Sequence, residues 1–152
     1  MIEAGLMGIK TTGYDINEIM EKGCRENLKN FKIKKFEIFN ANALKISNSF
    51  DYAVTDLPYG LNSNVILEYG KNNWKDYRIN KKIQNSGFHA SLEKFYLSFL
   101  KKLRKKLRKK AVIIFPSYVN HKKLLKSSKF RIEKEFSIYV HRSLTRNIVR
   151  VG

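Results

Sequence analysis

The chain has a single cysteine, Cys24, which excludes an internal disulfide and a Cys-x-x-Cys site and makes a reducing compartment the expectation. Its histidines, His89, His121 and His141, are dispersed with no partner at metal-ligand spacing, so no metal is implied. No apolar run approaches the roughly 20 residues that cross a bilayer. The first residues also lack the basic-then-apolar pattern of a secretory leader. A soluble, cytoplasmic protein is expected. Acids are scarce too: 13 stand against 31 lysines and arginines, for a formal charge of +18. Such a surface repels itself unless a polyanion shares it, and nucleic acid is the first partner to consider. A lysine-rich proteome, however, raises the charge of many proteins without RNA contact.

At 152 residues the chain fits one ordinary domain with one core. "IKTTGYDI" predicts a strand ending at Asp15, and Asn17 can cap the helix that follows. On that helix Met20, Cys24 and Leu28 recur at i, i+4, i+8 and read as one core stripe. "KKFEIFNAN" and "FDYAVTDLPYG" are strands by their aromatic and β-branched content, stopping on Asn42 and Asp56. Residues 61–87 are polar, carry the only tryptophan, Trp74, and lack periodicity, which predicts a functional loop or a plain insertion.

From His89 to about Leu107, the residues Leu92, Phe95, Tyr96, Phe99, Leu100, Leu103 and Leu107 recur at three- and four-residue steps. They predict one long amphipathic helix whose other face carries much of "KKLRKKLRKK". That run reads either as a strip that neutralises RNA phosphates or as a solvated face over Leu103 and Leu107, and the second reading is favoured. "AVIIFPSY" is a covered parallel strand bounded by Pro116, and "HKKLLKSSK" is a short helix. Residues 130–140 and 144–151 form a hairpin. Helices between strands predict an α/β fold, a mostly parallel sheet finished by an antiparallel hairpin. Ligands of such sheets sit at the carboxyl ends of the strands, where Asp15, Asn42 and Asp56 fall.

The segment Asp56-Leu57-Pro58-Tyr59 ends the third strand with particular chemistry. Pro58 biases Leu57 toward an extended backbone, which can turn the Leu57 carbonyl to a ligand. Asp56 adds a second acceptor, Tyr59 a flat ring, and Gly60 a permissive turn. Two acceptors and a ring suit a planar amine. An exocyclic amino group is a poor nucleophile because its lone pair is delocalised, and acceptors on both N–H groups favour a pyramidal nitrogen. A ring stacked on the base clamps it.

This tetrapeptide resembles the Asp/Asn-Pro-Pro-Tyr motif of S-adenosylmethionine-dependent amino-methyltransferases, and "TDLPYG" resembles that of archaeal tRNA guanosine-10 N2-methyltransferases. "IEAGLMG" at 2–8, "GYDI" at 13–16, "NANA" at 40–43 and "HRSLTRNIVRV" at 141–151 are similar to that family's first helix, ribose-binding strand end, adenine-binding motif and final hairpin. The resemblance implies a Rossmann-like S-adenosylmethionine methyltransferase sheet. It places Asp15 on the cofactor ribose, Ile16 against the adenine, and Asn42 and Ala43 on the adenine edge. Asp56 and Leu57 would hold the guanine amino group, with Asp56 also beside the cofactor; Pro58 would fix the backbone and Tyr59 stack on the base. The family usually has aspartate where this chain has Asn42, so the resemblance leaves a neutral carbonyl to accept from the adenine amine.

In that family a central strand and glycine-rich loop precede the stretch matching Ile2 to Gly8, and a THUMP-type RNA-binding domain precedes those. This sequence begins after both. The expectation is a partial catalytic domain over 1–152, lacking the first strand and the glycine-rich loop, with no THUMP domain. It would act on tRNA as one half of a split enzyme, completed by a second polypeptide carrying those parts. A truncated or non-catalytic RNA-binding fragment is one alternative. An amino-methyltransferase acting on adenine or cytosine of DNA or another RNA is the other.

Overall fold

The computed structural model describes residues 1–59, 65–68, 74–77, 86–142 and 144–152, with the backbone path alone for 65–68, 74–77 and 86–91. Two compact units follow each other along the chain, Met1–Ser47 and Asn48–Gly152.

The first unit holds helix α1 (Ile2–Leu6), strand β1 (Thr11–Asp15), helix α2 (Glu18–Asn30), strand β2 (Phe36–Asn40) and a 3-10 turn at Ala43–Lys45. β1 and β2 pair in parallel, with Asp15 opposite Asn40, as a strand–helix–strand crossover requires. Just past the end of α1, Gly8 has a φ of +76°, which suits glycine. Gly5 lets α1 approach Ile33, where an added Cβ would come within 2.6 Å of that side chain. Asn17 caps α2 by accepting from the Ile19 and Met20 amides. The expected stripe on α2 is uneven: Leu28 is fully buried, Cys24 is intermediate and Met20 is 59% exposed. Glu21, buried on the same helix, is held by Arg25, whose guanidinium also donates to the Ile38 carbonyl.

The second unit holds β3 (Phe50–Asp56), β4 (Val65–Glu68), β5 (Trp74–Tyr77), α3 (Ser86–Lys106), β6 (Leu107–Pro116), α4 (His121–Ser127), β7 (Ile132–His141) and β8 (Leu144–Val151). Four of these strands form a sheet in the order β3-β6-β8-β7. β3 is parallel to β6, while β8 is antiparallel to both β6 and β7, so the C-terminal hairpin is present as expected. Register puts Ala53, Thr55, Ala111, Ile113, Phe115, Val149 and Val151 on one face. Its β6 and β8 residues are buried, with Leu100, Leu103, Leu124 and Leu125 of α3 and α4 also in the core. Tyr96 of α3 meets Phe115 edge-on at 6.2 Å, and His121 of α4 stacks on the same ring at 5.5 Å.

Two expectations need correction. Part of 61–87 forms an antiparallel pair, β4 with β5, Val65 opposite Tyr77; four-residue strands are too short to leave a periodic signal. The basic run is also divided, because α3 ends at Lys106 and β6 begins at Leu107, which pairs with Phe50. Helical spacing of Leu103 and Leu107 could not reveal that strand pairing takes over there. Gly60 lies outside the described residues.

Candidate functional site

In the first unit the polar residues gather at the carboxyl ends of β1 and β2. The Asp15 carboxylate accepts from the Asn17 amide at 2.8 Å, and its backbone carbonyl accepts from the Ala41 amide at 2.9 Å. Asn40 sends its amide nitrogen to the carbonyls of Asp15 and Ile16 at 3.2 and 3.1 Å, tying the two strand ends together. Asp15, Ile16, Asn42 and Ala43 therefore belong to one cluster around two laced strand ends.

Asn42 is buried, and its Oδ1 accepts from the Leu44 amide at 2.8 Å, capping the turn that Ala43 begins. Its Nδ2 is buried without a hydrogen-bond partner among the described residues. The sequence expectation gave Asn42 an accepting carbonyl for the cofactor amine; that oxygen accepts from the turn and keeps one lone pair. The side chain also offers an N–H donor, suited to a ring nitrogen of an adenine. The donor set at this cluster, an Asp15 carboxylate and an unspent amide N–H, fits an adenosine: the acid for hydroxyls, the amide for a ring acceptor.

In the second unit β3 delivers the tetrapeptide at its carboxyl end. The Leu57 amide donates to the Ile114 carbonyl at 3.2 Å, extending the ladder one residue past Asp56. Leu57 is 3% exposed, so its side chain anchors the turn in the core. Two tyrosines then hold the following carbonyls: the Tyr96 hydroxyl donates to Pro58 O and the Tyr118 hydroxyl to Tyr59 O. Tyr59 itself donates to Asp56 Oδ1 at 2.7 Å. Arg146 of β8 stands with its guanidinium 5.3 Å from the Tyr59 ring centroid and 3.9 Å from Asp56 Oδ2.

Burial, followed by the hydrogen bond to Asp56 and that residue's charge, pushes the Tyr59 phenol up to about 12, against a smaller opposing pull from Arg146. Tyr59 is therefore a neutral ring and a hydrogen-bond donor at physiological pH, and not a base. Burial raises the phenols of Tyr96 and Tyr118 as well, so both stay protonated and keep donating. Asp56 is left as an acceptor with spare lone pairs, since a carboxylate offers about four sites. A charged acceptor beside a neutral ring on a braced turn can hold and orient a planar amino compound.

Sequence reasoning missed Tyr96, Tyr118 and Arg146 as parts of this arrangement. Tyr96 lay within a helical apolar stripe, where its hydroxyl, which needs a partner when buried, was the available signal. Among the described residues no cluster of three acids, histidines or cysteines could hold a metal, and no helix is long and apolar enough to cross a membrane.

Comparison with solved structures places this architecture. TrmN from Thermus thermophilus superposes with a TM-score of 0.69 at 13% identity, over 99% of this chain and 39% of that one. Magnesium protoporphyrin IX methyltransferase from Synechocystis PCC 6803 with bound SAM gives 0.66 at 11% identity, over 99% and 62%. The fold is the one that those two proteins share. Residues 1–71 match the family described as RMKL-like, methyltransferase domain. Along 99% of its length the chain is 32% identical to a tRNA (guanine(10)-N2)-dimethyltransferase of Methanothermobacter thermautotrophicus. It is 27% identical to the protein of that name from Pyrococcus abyssi over 96%. The resemblance carried by the tetrapeptide thus extends through the sequence, although the chain spans 39% of the length of either relative.

Proposed function

We propose that this chain takes part in methylating the exocyclic N2 amino group of a guanosine in tRNA, with S-adenosylmethionine as methyl donor. The observation that carries the reading is the Asp56-Leu57-Pro58-Tyr59 turn at the carboxyl end of β3, braced by Tyr96 and Tyr118. Similarity to tRNA (guanine(10)-N2)-dimethyltransferases along nearly the whole chain supports it. The strongly basic composition, +18, supports a nucleic-acid substrate.

In this reading Asp15 accepts from the ribose hydroxyls, Ile16 packs on the adenine, and Asn42 and Ala43 meet the adenine edge. Bound there, S-adenosylmethionine supplies an electrophilic methyl group. Asp56 and the Leu57 carbonyl accept the two N–H bonds of the guanine amine, which favours a pyramidal nitrogen with its lone pair outward. Pro58 fixes the turn, and Tyr59 stacks on a base that has left its helix. The methylated nitrogen becomes acidic and passes a proton to Asp56 or water, so no strong base is needed.

Residues 1–152 act as part of one catalytic domain, in the cytoplasm, together with a second polypeptide that carries a glycine-rich loop and a THUMP domain. Among the described residues β3 ends its four-stranded sheet with no further strand paired to it, which supports a partner strand, since an unpaired edge is a template for pairing. Val54 and Tyr52 on that strand are 79% and 64% exposed. The test is Asp56→Ala in a reconstituted complex: methyl transfer to tRNA should vanish while binding of S-adenosylmethionine, followed by calorimetry, largely survives. Strong residual transfer refutes the assigned role of Asp56. If no candidate partner co-purifies with the chain on co-expression, the second-polypeptide reading fails.

A further inference from the structure

Several cations of the second unit are already held by an acid or a ring. Lys110 and Arg150 hold Glu133 at 2.9 and 3.2 Å, Lys109 holds Asp51 at 3.2 Å, and Arg104 lies over Phe130. Arg146 differs. Its register opposite Pro116 puts it at the end of the sheet where Asp56 also ends its strand. The guanidinium covers the Tyr59 ring, and its 3.9 Å separation from Asp56 is too long for a good hydrogen bond. Its Nε is buried with no hydrogen-bond partner among the described residues, although the side chain as a whole is 37% exposed.

We propose that Arg146 receives a phosphate of the RNA strand at or next to the target nucleotide, and so fixes where the base enters relative to Tyr59. The inference rests on the reading of Asp56 to Tyr59 as the amine-binding turn. Because Nε is closed to solvent, the Nη groups of this partly exposed guanidinium are the donors that meet a phosphate oxygen, by charge-assisted hydrogen bonds. A neutral base acceptor would leave the charge uncompensated, whereas a phosphate neutralises it and frees Asp56 for the amine. Docked in this way, the guanidinium stays on one face of Tyr59 and steadies the ring by cation–π contact.

The test is the salt dependence of tRNA binding by the chain reconstituted with its second polypeptide, read by fluorescence anisotropy between about 50 and 200 mM salt. A single phosphate contact contributes roughly 0.7–0.9 to the slope of log K against log salt. Arg146→Gln should make the slope shallower by about that much, while Arg146→Lys, which keeps the charge, should retain it. Thermal melts check that the variants fold. Arg146→Met, whose unbranched stem preserves packing on Tyr59, gives the same reading if the glutamine variant does not. Weaker binding with an unchanged slope would mean a base contact and overturn the proposal, as would binding unchanged in every variant. Absence of tRNA binding by the reconstituted complex with the unmodified chain would overturn the functional reading itself, and this inference with it.

Discussion

Replacing Tyr96 by phenylalanine removes one atom from the brace under the tetrapeptide. Tyr96 is fully buried, its ring meets Phe115 edge-on, and its hydroxyl donates to the Pro58 carbonyl. Burial first, and then the neighbouring Tyr118, Tyr59 and Asp56, hold its phenol far above the ordinary value. The donor is therefore present at any pH where the protein is folded. Phenylalanine keeps the ring volume and the contact with Phe115, so the change isolates the hydrogen bond. A typical internal bond contributes about 0.5–1.5 kcal/mol, and a carbonyl left partly buried without its partner raises the cost toward about 1–3 kcal/mol. The expected loss is about 1–2 kcal/mol, or a melting temperature lower by roughly 3–8 °C for a chain of this size.

Urea denaturation followed by circular dichroism measures it, with a lower midpoint and an unchanged m-value. Tyr96→Ala provides the scale, since losing a buried aromatic ring costs about 3–5 kcal/mol. If the phenylalanine variant unfolds at the unmodified midpoint, the hydroxyl contributes nothing and the braced turn is refuted. If it is as damaging as alanine, the effect lies in packing and not in the hydrogen bond.

Other outcomes follow from single features. Ile113→Ala, at a fully buried position in the centre of the sheet, should cost about 2–5 kcal/mol in the same denaturation assay. Burial alone would raise the Glu135 carboxyl, but hydrogen bonds from Lys122 and His121 outweigh it and hold the group below 4.5. Its stabilisation is present above that value and is lost as pH falls through the depressed one, so Glu135→Gln should be weaker than the unmodified chain at neutral pH and converge with it in acid. Asn42→Asp would keep the acceptor for the Leu44 amide and replace the buried orphan donor with a second acceptor. Binding of S-adenosylhomocysteine by calorimetry should weaken by up to roughly tenfold, because the donor for a ring nitrogen is lost, and unchanged or tighter binding counts against the donor role of Asn42.

Much of the architecture was legible because it is written locally. The strand ends at Asp15 and Asp56, the Asn17 cap, the long helix before β6 and the C-terminal hairpin all follow from spacing and residue type. The β4–β5 pair was not, because four-residue strands carry no period. Nor was the change from helix to strand at Leu107, where the pattern suits a helix and pairing with β3 decides otherwise. The role of Asn42 was half legible: a polar residue at the right place, but with its oxygen accepting from a backbone amide that no residue count reveals.

The least legible part is what surrounds the tetrapeptide, and the reason is sequence distance. Tyr96 lies 38 residues from Pro58, and Tyr118 lies 59 from Tyr59. The same distance governs the charge. Composition announces +18, and "KKLRKKLRKK" is its densest stretch. Yet in that run Arg108 and Lys109 are drawn to Asp51, Lys110 to Glu133, and Arg104 to Phe130 and the Lys129 carbonyl. A cation that neighbours already satisfy has less to offer a phosphate than one whose donor is unspent. By that criterion Lys101 and Lys105, exposed on α3 with no ion pair among the described residues, are what the run keeps for a polyanion, while Arg146 in β8 is the cation placed at the turn itself. Charge density along a chain therefore identifies the kind of partner, while unpaired donors in the fold identify where that partner is held.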